Sequence, residues 1–290
     1  MSIRILDLDI LENMLDTLIR ISMEEGFTET ELARCRYVRD QIIKTTYIVK
    51  DIVEVVTRKY IYVPLPSKGI EIITTPQYAV SHFTLTGRIA GIYLPHEDKI
   101  ALFLFNIDNL VTTLIHEYLH YIFHRYIPFN EILTEICQEL ATYLSHKYKV
   151  NRDRIMFELL ANSSLLEEMI VNLMEVEYFN RARYSAAYYS YFIPLINTLR
   201  RVVPSVDYCD TYNIVMERVW DTILNKVNRL IRPIIVKPLS GIDTRDIYYT
   251  LYLHYIDAIS GSFRYNWCDD LLRRLIPLPI LLQYLKMINQ

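Results

Sequence analysis

The sequence predicts a mainly helical α+β chain, in which a small mixed sheet near the middle leads into two helices. Three observations carry this. Apolar residues recur at helical spacing through the first segment and again beyond Asn151. β-rich runs cluster between residues 80 and 105. The tract Pro64-Leu65-Pro66-Ser67-Lys68-Gly69 is the strongest linker signal in the chain. Together they divide it into a helical N-terminal segment (1–68), a core (69–149) and a helical C-terminal domain (150–290).

Taken in order, Leu6, Ile10, Leu11, Met14, Leu15, Leu18 and Ile19 form one helix-period stripe, and residues 29–58 continue in that style. Residues 80–85 alternate weakly, 89–94 are β-rich, and Pro95-His96-Glu97-Asp98-Lys99 makes a polar turn. Residues 100–105 form a continuous apolar strand. These elements predict a small sheet ending in a hairpin, which feeds a helix starting near Asp108. Pro128 ends that helix, Asn130 can cap the next, and residues 131–144 carry a helical pattern. Beyond Asn151 the pattern is helical again, punctuated by Pro194, Pro204, Pro233 and Pro238.

With 290 residues and 52% hydrophobic content, the chain can bury one large core or two modest ones. A net charge of −3 makes no electrostatic case for nucleic acid as a partner. Asp7 and Asp9 break the apolar stretch that a signal peptide would need, and no run of about twenty apolar residues is free of charge or proline. No membrane span is expected, and a cytoplasmic location is (the host cytoplasm, for a viral protein). Cys35, Cys137, Cys209 and Cys268 lie far apart with no Cys-x-x-Cys, which predicts neither a zinc ribbon nor a disulfide framework. The balance of 24 tyrosines against 6 glycines, with few glutamines, suggests a thermophilic source, archaeal or viral.

The chemistry is concentrated in Thr113-Leu114-Ile115-His116-Glu117-Tyr118-Leu119-His120-Tyr121-Ile122. On a helix, His116 and His120 share a face about 6 Å apart along the axis, so both imidazoles can close on one tetrahedral Zn²⁺. Glu117 sits beside them, placed to handle a metal-bound water without being a ligand. His124 cannot join, because it lies two turns, about 12 Å, from His116. A helix-end histidine partnering a carbonyl or solvent is the expectation for it.

With its uncharged neighbours and Thr113 three before the first histidine, this stretch resembles the zincin superfamily of metallopeptidases. The metzincin-like branch continues with a glycine and a third histidine at fixed distance; here Tyr121-Ile122-Phe123-His124-Arg125 follows instead. The gluzincin branch draws a glutamate from a second helix. Glu131, Glu135 and Glu139 recur every four residues in the next one, with Glu131 expected on a solvated face. A chain reversing through Tyr126 to Phe129 brings Glu135 level with the histidines. Glu139, one turn on, would then approach His116 as an orienting carboxylate. The resemblance implies such a division, since several gluzincin families use Glu-x-x-x-Asp, although this chain has Glu in the second place. The eighteen residues between His120 and Glu139 match the interval in several gluzincin families and favour Glu139 as the ligand itself. Glu135 is preferred and Glu139 stays open.

The run Gly91-Ile92-Tyr93-Leu94-Pro95 and then Lys99-Ile100-Ala101-Leu102 looks like the strand–turn–strand approach of compact minigluzincins. The likeness spans roughly residues 70–148. It implies a zincin-type sheet with a motif helix and a glutamate helix, and strand 100–105 as the edge offered to an extended peptide. It also implies a Tyr or His donor for the oxyanion from the region after the glutamate helix. Tyr184, Tyr188, Tyr189, Tyr248, Tyr249 and His254 are candidates, with His254 and the nearby Arg264 preferred.

The expected function is therefore a zinc-dependent endo- or aminopeptidase acting on peptide or protein substrates. Zn²⁺ would be held by His116, His120 and Glu135 (or Glu139), with Glu117 as general base. The alternative is a zinc-stabilised or degenerate zincin domain serving interaction, in a virion or regulatory complex, with protein partners bound through the helical segments. A third reading is an all-helical scaffold with a coincidental motif. Residues 1–68 are open to two arrangements, an integral segment or a prosegment over the cleft.

Overall fold

A computed structural model of the chain describes residues 2–61, 63–75, 78–79, 82, 89–104, 110–179 and 191–214. Among these the chain is mainly helical with one four-stranded mixed sheet, as expected. The described residues divide into two compact units, the chain up to Lys59 with Pro64–Tyr118, and Tyr60–Val63 with the chain from Leu119 to residue 214.

In the first unit, β1 (Ile3–Leu6) leads into α1 (Leu8–Glu24) and α2 (Glu29–Tyr60), then β2 (Ile70–Ile73), β3 (Gly91–Leu94) and β4 (Lys99–Phe103). The strand order is β1-β2-β4-β3, with β1, β2 and β4 parallel and β3 antiparallel to β4. Parallel neighbours need a long crossover, which α1 and α2 supply between β1 and β2. β2 is buried along its whole length and β4 from Ile100 to Phe103, so both read as continuous apolar runs. The exception is Glu71 on β2, whose carboxylate is met by Lys99 at 3.0 Å and Arg4 at 3.6 Å.

The helical stripe read from the sequence is observed: α1 buries Leu11, Leu15 and Leu18. Along α2, Leu32, Cys35, Val38, Ile42, Val49, Ile52, Val53 and Val56 are buried at helical intervals. Arg39 of α2 donates to Asp16 of α1 at 2.9 Å.

Two expectations change here. Residues 3–6 are a strand rather than part of a helix, because Ile3-Arg4-Ile5 alternates in and out against β2. The strand 100–105 is not an edge: β4 is hydrogen-bonded on both sides, and β3 lies outside it. The strand expected over 80–85 falls mostly outside the described residues, and His82 within it is helical.

Cys35 is disulfide-bonded, whereas Cys137 and Cys209 are free thiols. The expectation of no disulfide thus fails at Cys35, since folding can join cysteines whose sequence spacing carries no motif. Hyperthermophile proteins form disulfides inside the cell as well, so the bond does not assign a compartment.

Asp7 ties the sheet to α1. Its backbone adopts a left-handed conformation (φ 57°) between β1 and α1. The buried carboxylate accepts from the backbone N–H of Thr74 and Thr75 at 2.9 and 2.7 Å, and from both threonine hydroxyls. Burial raises its pKa above the ordinary 3.8, partly offset by these four hydrogen bonds. Asp7→Asn keeps the residue's tolerance of left-handed backbone but turns an amide NH₂ toward donors. A loss of about 1–3 kcal/mol in urea unfolding is expected. The sign with pH follows from the raised value. Above pH 3.8 the unfolded Asp7 has released a proton that the native one still holds, so wild-type stability falls as pH rises through the native pKa. The advantage of wild type over Asp7→Asn should shrink along that limb. A gap that widens instead would contradict the shift.

In the second unit, α4 (Phe129–Tyr148), α5 (Arg152–Ala161), α6 (Ser163–Phe179), α7 (Ile193–Leu199) and α8 (Tyr208–Ile214) pack together. α4 lies on α5 and α6, and α7 contacts both α5 and α6. The expected cap at Asn130 is displaced. Pro128 precedes α4, and its carbonyl accepts from the N–H of Glu131 and Ile132. Asn151 does cap α5, accepting from Asp153 and Arg154. No helix among the described residues is long and apolar enough to cross a membrane.

Candidate metal centre

The motif lies on α3 (Leu110–Tyr126), an unbroken helix whose buried residues include Leu114, Ile115, Glu117, Tyr118, Leu119, Tyr121, Ile122 and Phe123. Its expected start at Asp108 falls outside the described residues. Helical spacing puts His116 and His120 one turn apart, both half-buried. Two glutamates on α6 complete the arrangement. Glu167 and Glu168 lie in an otherwise apolar stretch, Leu165-Leu166-Glu167-Glu168-Met169-Ile170-Val171, where a charged side chain needs a partner.

The two nitrogens of His120 meet different glutamates. Nδ1 donates to Oε1 of Glu167 at 2.7 Å, and Nε2 lies 3.3 Å from Oε1 of Glu168. His124 Nε2 donates to the same Glu167 oxygen at 2.9 Å. Burial pushes the Glu167 carboxyl up, but hydrogen bonds from His120 and His124, with their charge, outweigh it and hold the pKa at about 2.

One ligand atom each from His116, His120 and Glu168 lie within 4.8 Å of one another, and this group could hold a metal ion. Ligands about 2.0–2.1 Å from a tetrahedral zinc lie about 3.3–3.4 Å apart, the separation found between His120 and Glu168. Closing the widest pair takes at most roughly 1.5 Å, and a His₂Glu donor set matches that of zinc hydrolases. The residues therefore fit zinc.

Glu117 is buried, and the first unit shows why. The helix runs so close to β3 that a β-carbon at Gly91 would lie 2.8 Å from Glu117 Cγ and from Thr113 Cγ2, and 3.0 Å from a Glu117 carboxylate oxygen. Gly91 leaves the space that this carboxylate fills. Tyr191, just before α7, brings its hydroxyl into hydrogen-bonding reach of Glu168 and Asn172. Its burial and the Glu168 charge push its pKa up to about 12, so it stays a donor.

The structure thus brings His116 and His120 together with Glu168, in place of the glutamates expected from the next helix. Among the described residues neither Glu135 nor Glu139 belongs to the group. α4 buries Ile132, Leu133, Ile136, Leu140, Ala141 and Leu144, which leaves Glu135 half-buried and Glu139 exposed, like Glu131. His124 is not in that group, and it meets the Glu167 carboxylate rather than the carbonyl or solvent expected for it. His254, Arg264, Tyr184, Tyr188, Tyr189, Tyr248 and Tyr249 lie outside the described residues.

The sequence reading does not include Glu167, Glu168 or Tyr191, yet Glu168 leaves a trace in the sequence. Within residues 165–176 the polar residues are Glu167, Glu168, Asn172 and Glu175, and the last three share one helix face. A polar row through an apolar helix marks acids that must be partnered.

No protein-family model matches the chain, and comparison with curated proteins and with solved structures finds no match.

Proposed function

We propose that the chain is a zinc-dependent metallopeptidase of zincin type, closest in its use of a distant glutamate to the gluzincin branch, with His116, His120 and Glu168 as ligands. The observation that supports it is the group itself. A carboxylate from a distant, largely apolar helix stands beside the two motif histidines, where it can serve as a third ligand. When bound, zinc supplies Lewis-acid polarisation of the scissile carbonyl and acidifies the attacking water. Glu117 accepts the proton of that water and returns it to the departing amine. Tyr191 holds Glu168 through its hydroxyl. β3, last in the strand order among the described residues, is the strand an extended peptide would pair with.

The direct test is elemental analysis of the purified chain beside His116→Ala and His120→Ala. About one zinc per chain is expected for wild type and little for either variant, because two protein ligands rarely hold zinc against water. No transition metal after chelator-free purification, and no uptake on reconstitution, would end this reading.

Gly91 provides a second check. Gly91→Ala puts a methyl 2.8 Å from Glu117 Cγ and Thr113 Cγ2, so both side chains must shift, at some cost in melting temperature. Fold and zinc content should survive, while kcat drops on the order of 10²-fold, the cost of a misplaced reacting group. An unchanged kcat would mean that the observed Glu117 position is not the working one.

A further inference from the structure

The adjacent glutamates of α6 divide the work on His120, and we infer that Glu167, pinned by His124, is a positioning residue that presents the Nε2 of His120 to the metal. The inference rests on the zinc reading above and extends it to two residues outside the ligand set.

Consecutive helix positions point about 100° apart, so Glu167 and Glu168 cannot approach an imidazole from the same side. Here they take its two nitrogens separately, Glu167 at Nδ1 and Glu168 beside Nε2. Holding Nδ1 against Glu167 leaves Nε2, the nitrogen beside Glu168, as the one turned toward the candidate metal position. The same hydrogen bond fixes the ring plane, because Glu167 is itself held. His124 Nε2 donates to the oxygen that accepts from His120, so two histidines one helical turn apart converge on one Oε1. His124 therefore reaches the metal site through Glu167. The motif becomes His-Glu-x-x-His-x-x-x-His, whose last histidine steadies rather than ligates.

Two measurements on the full chain test this. The first is zinc affinity by competition with a chelator. Glu167→Ala should weaken binding about 10–100-fold, as for other carboxylates behind metal-bound histidines. His124→Ala should weaken it less, and in a Glu167→Ala background its effect should largely vanish, since the contact that couples it to His120 is gone. A His124→Ala effect that persists undiminished without Glu167 would overturn the inference. The second is NMR of ¹⁵N-labelled histidine in the metal-free protein. Nδ1 of His120 should carry a slowly exchanging proton in wild type, lost in Glu167→Ala and exchanging faster in His124→Ala. An unprotonated Nδ1 in wild type would overturn it as well. Failure of the zinc reading would register separately, as absent zinc uptake by wild type, and the NMR result would then decide the clamp alone.

Discussion

Glu117→Gln is expected to keep its zinc and its melting temperature and to lose about 10²–10⁴-fold in kcat against a mixed peptide library. The carboxylate lies outside the ligand group, so its charge is not needed to bind the ion. The amide is nearly isosteric and fits the space that Gly91 leaves. It lacks the basic oxygen that takes a proton from water, and that is the whole intended defect. Two other outcomes are informative. A wild type that cuts no faster than the variant points to a contaminating protease. A wild type that binds zinc but cuts nothing favours an interaction domain stabilised by metal.

Glu168→Gln is expected to empty the site, while Glu135→Gln and Glu139→Gln stay filled. A neutral amide is a poor zinc ligand, and the two remaining histidines cannot hold the ion alone. The variant also weakens the Tyr191 contact, so circular dichroism should be recorded beside the metal content to show that the fold is intact. If Glu168→Gln retains zinc and either α4 variant loses it, the short-range assignment is right after all. The three proteins differ by one atom type at one position each, which makes the comparison close to free of bulk effects.

Why half of this centre was legible is a matter of range. The pairing of His116 with His120 is a local property of a helix, fixed by 3.6 residues per turn, and the sequence carries it in five letters. The exclusion of His124 as a ligand follows from the same arithmetic. The third candidate ligand depends on tertiary packing. Both arguments for Glu135 or Glu139 assumed that the next helix turns its acidic stripe toward the histidines, yet α4 turns Ile132, Ile136 and Leu140 inward instead. The apolar stripe decided the helix's rotation, because burying it is worth more than placing a carboxylate. Glu168 comes from a helix that packs on α4, and no pattern in one sequence states which helices touch.

The sheet divides similarly. The hairpin of β3 and β4 was readable because its strands flank a short polar turn, and the α1 stripe because it repeats. β1 was missed because four residues are too few for a period to register, and its partner lies more than sixty residues away. Which strand is outermost depends on long-range pairing too, so β4 was mistaken for the exposed one.

That first strand also bears on how residues 1–68 could be removed. A propeptide that masks a cleft must come away without damage to what it covers. Here Ile3–Leu6 are zipped to Ile70–Ile73, and Asp7 is fastened to Thr74 and Thr75. Maturation by clipping in the linker at residues 64–69 would strip β2 of its neighbour and bare a row of unsatisfied amides, the kind of surface on which chains stick to one another. Cleavage at residues 64–69 would therefore cost the sheet a strand rather than uncover a finished one.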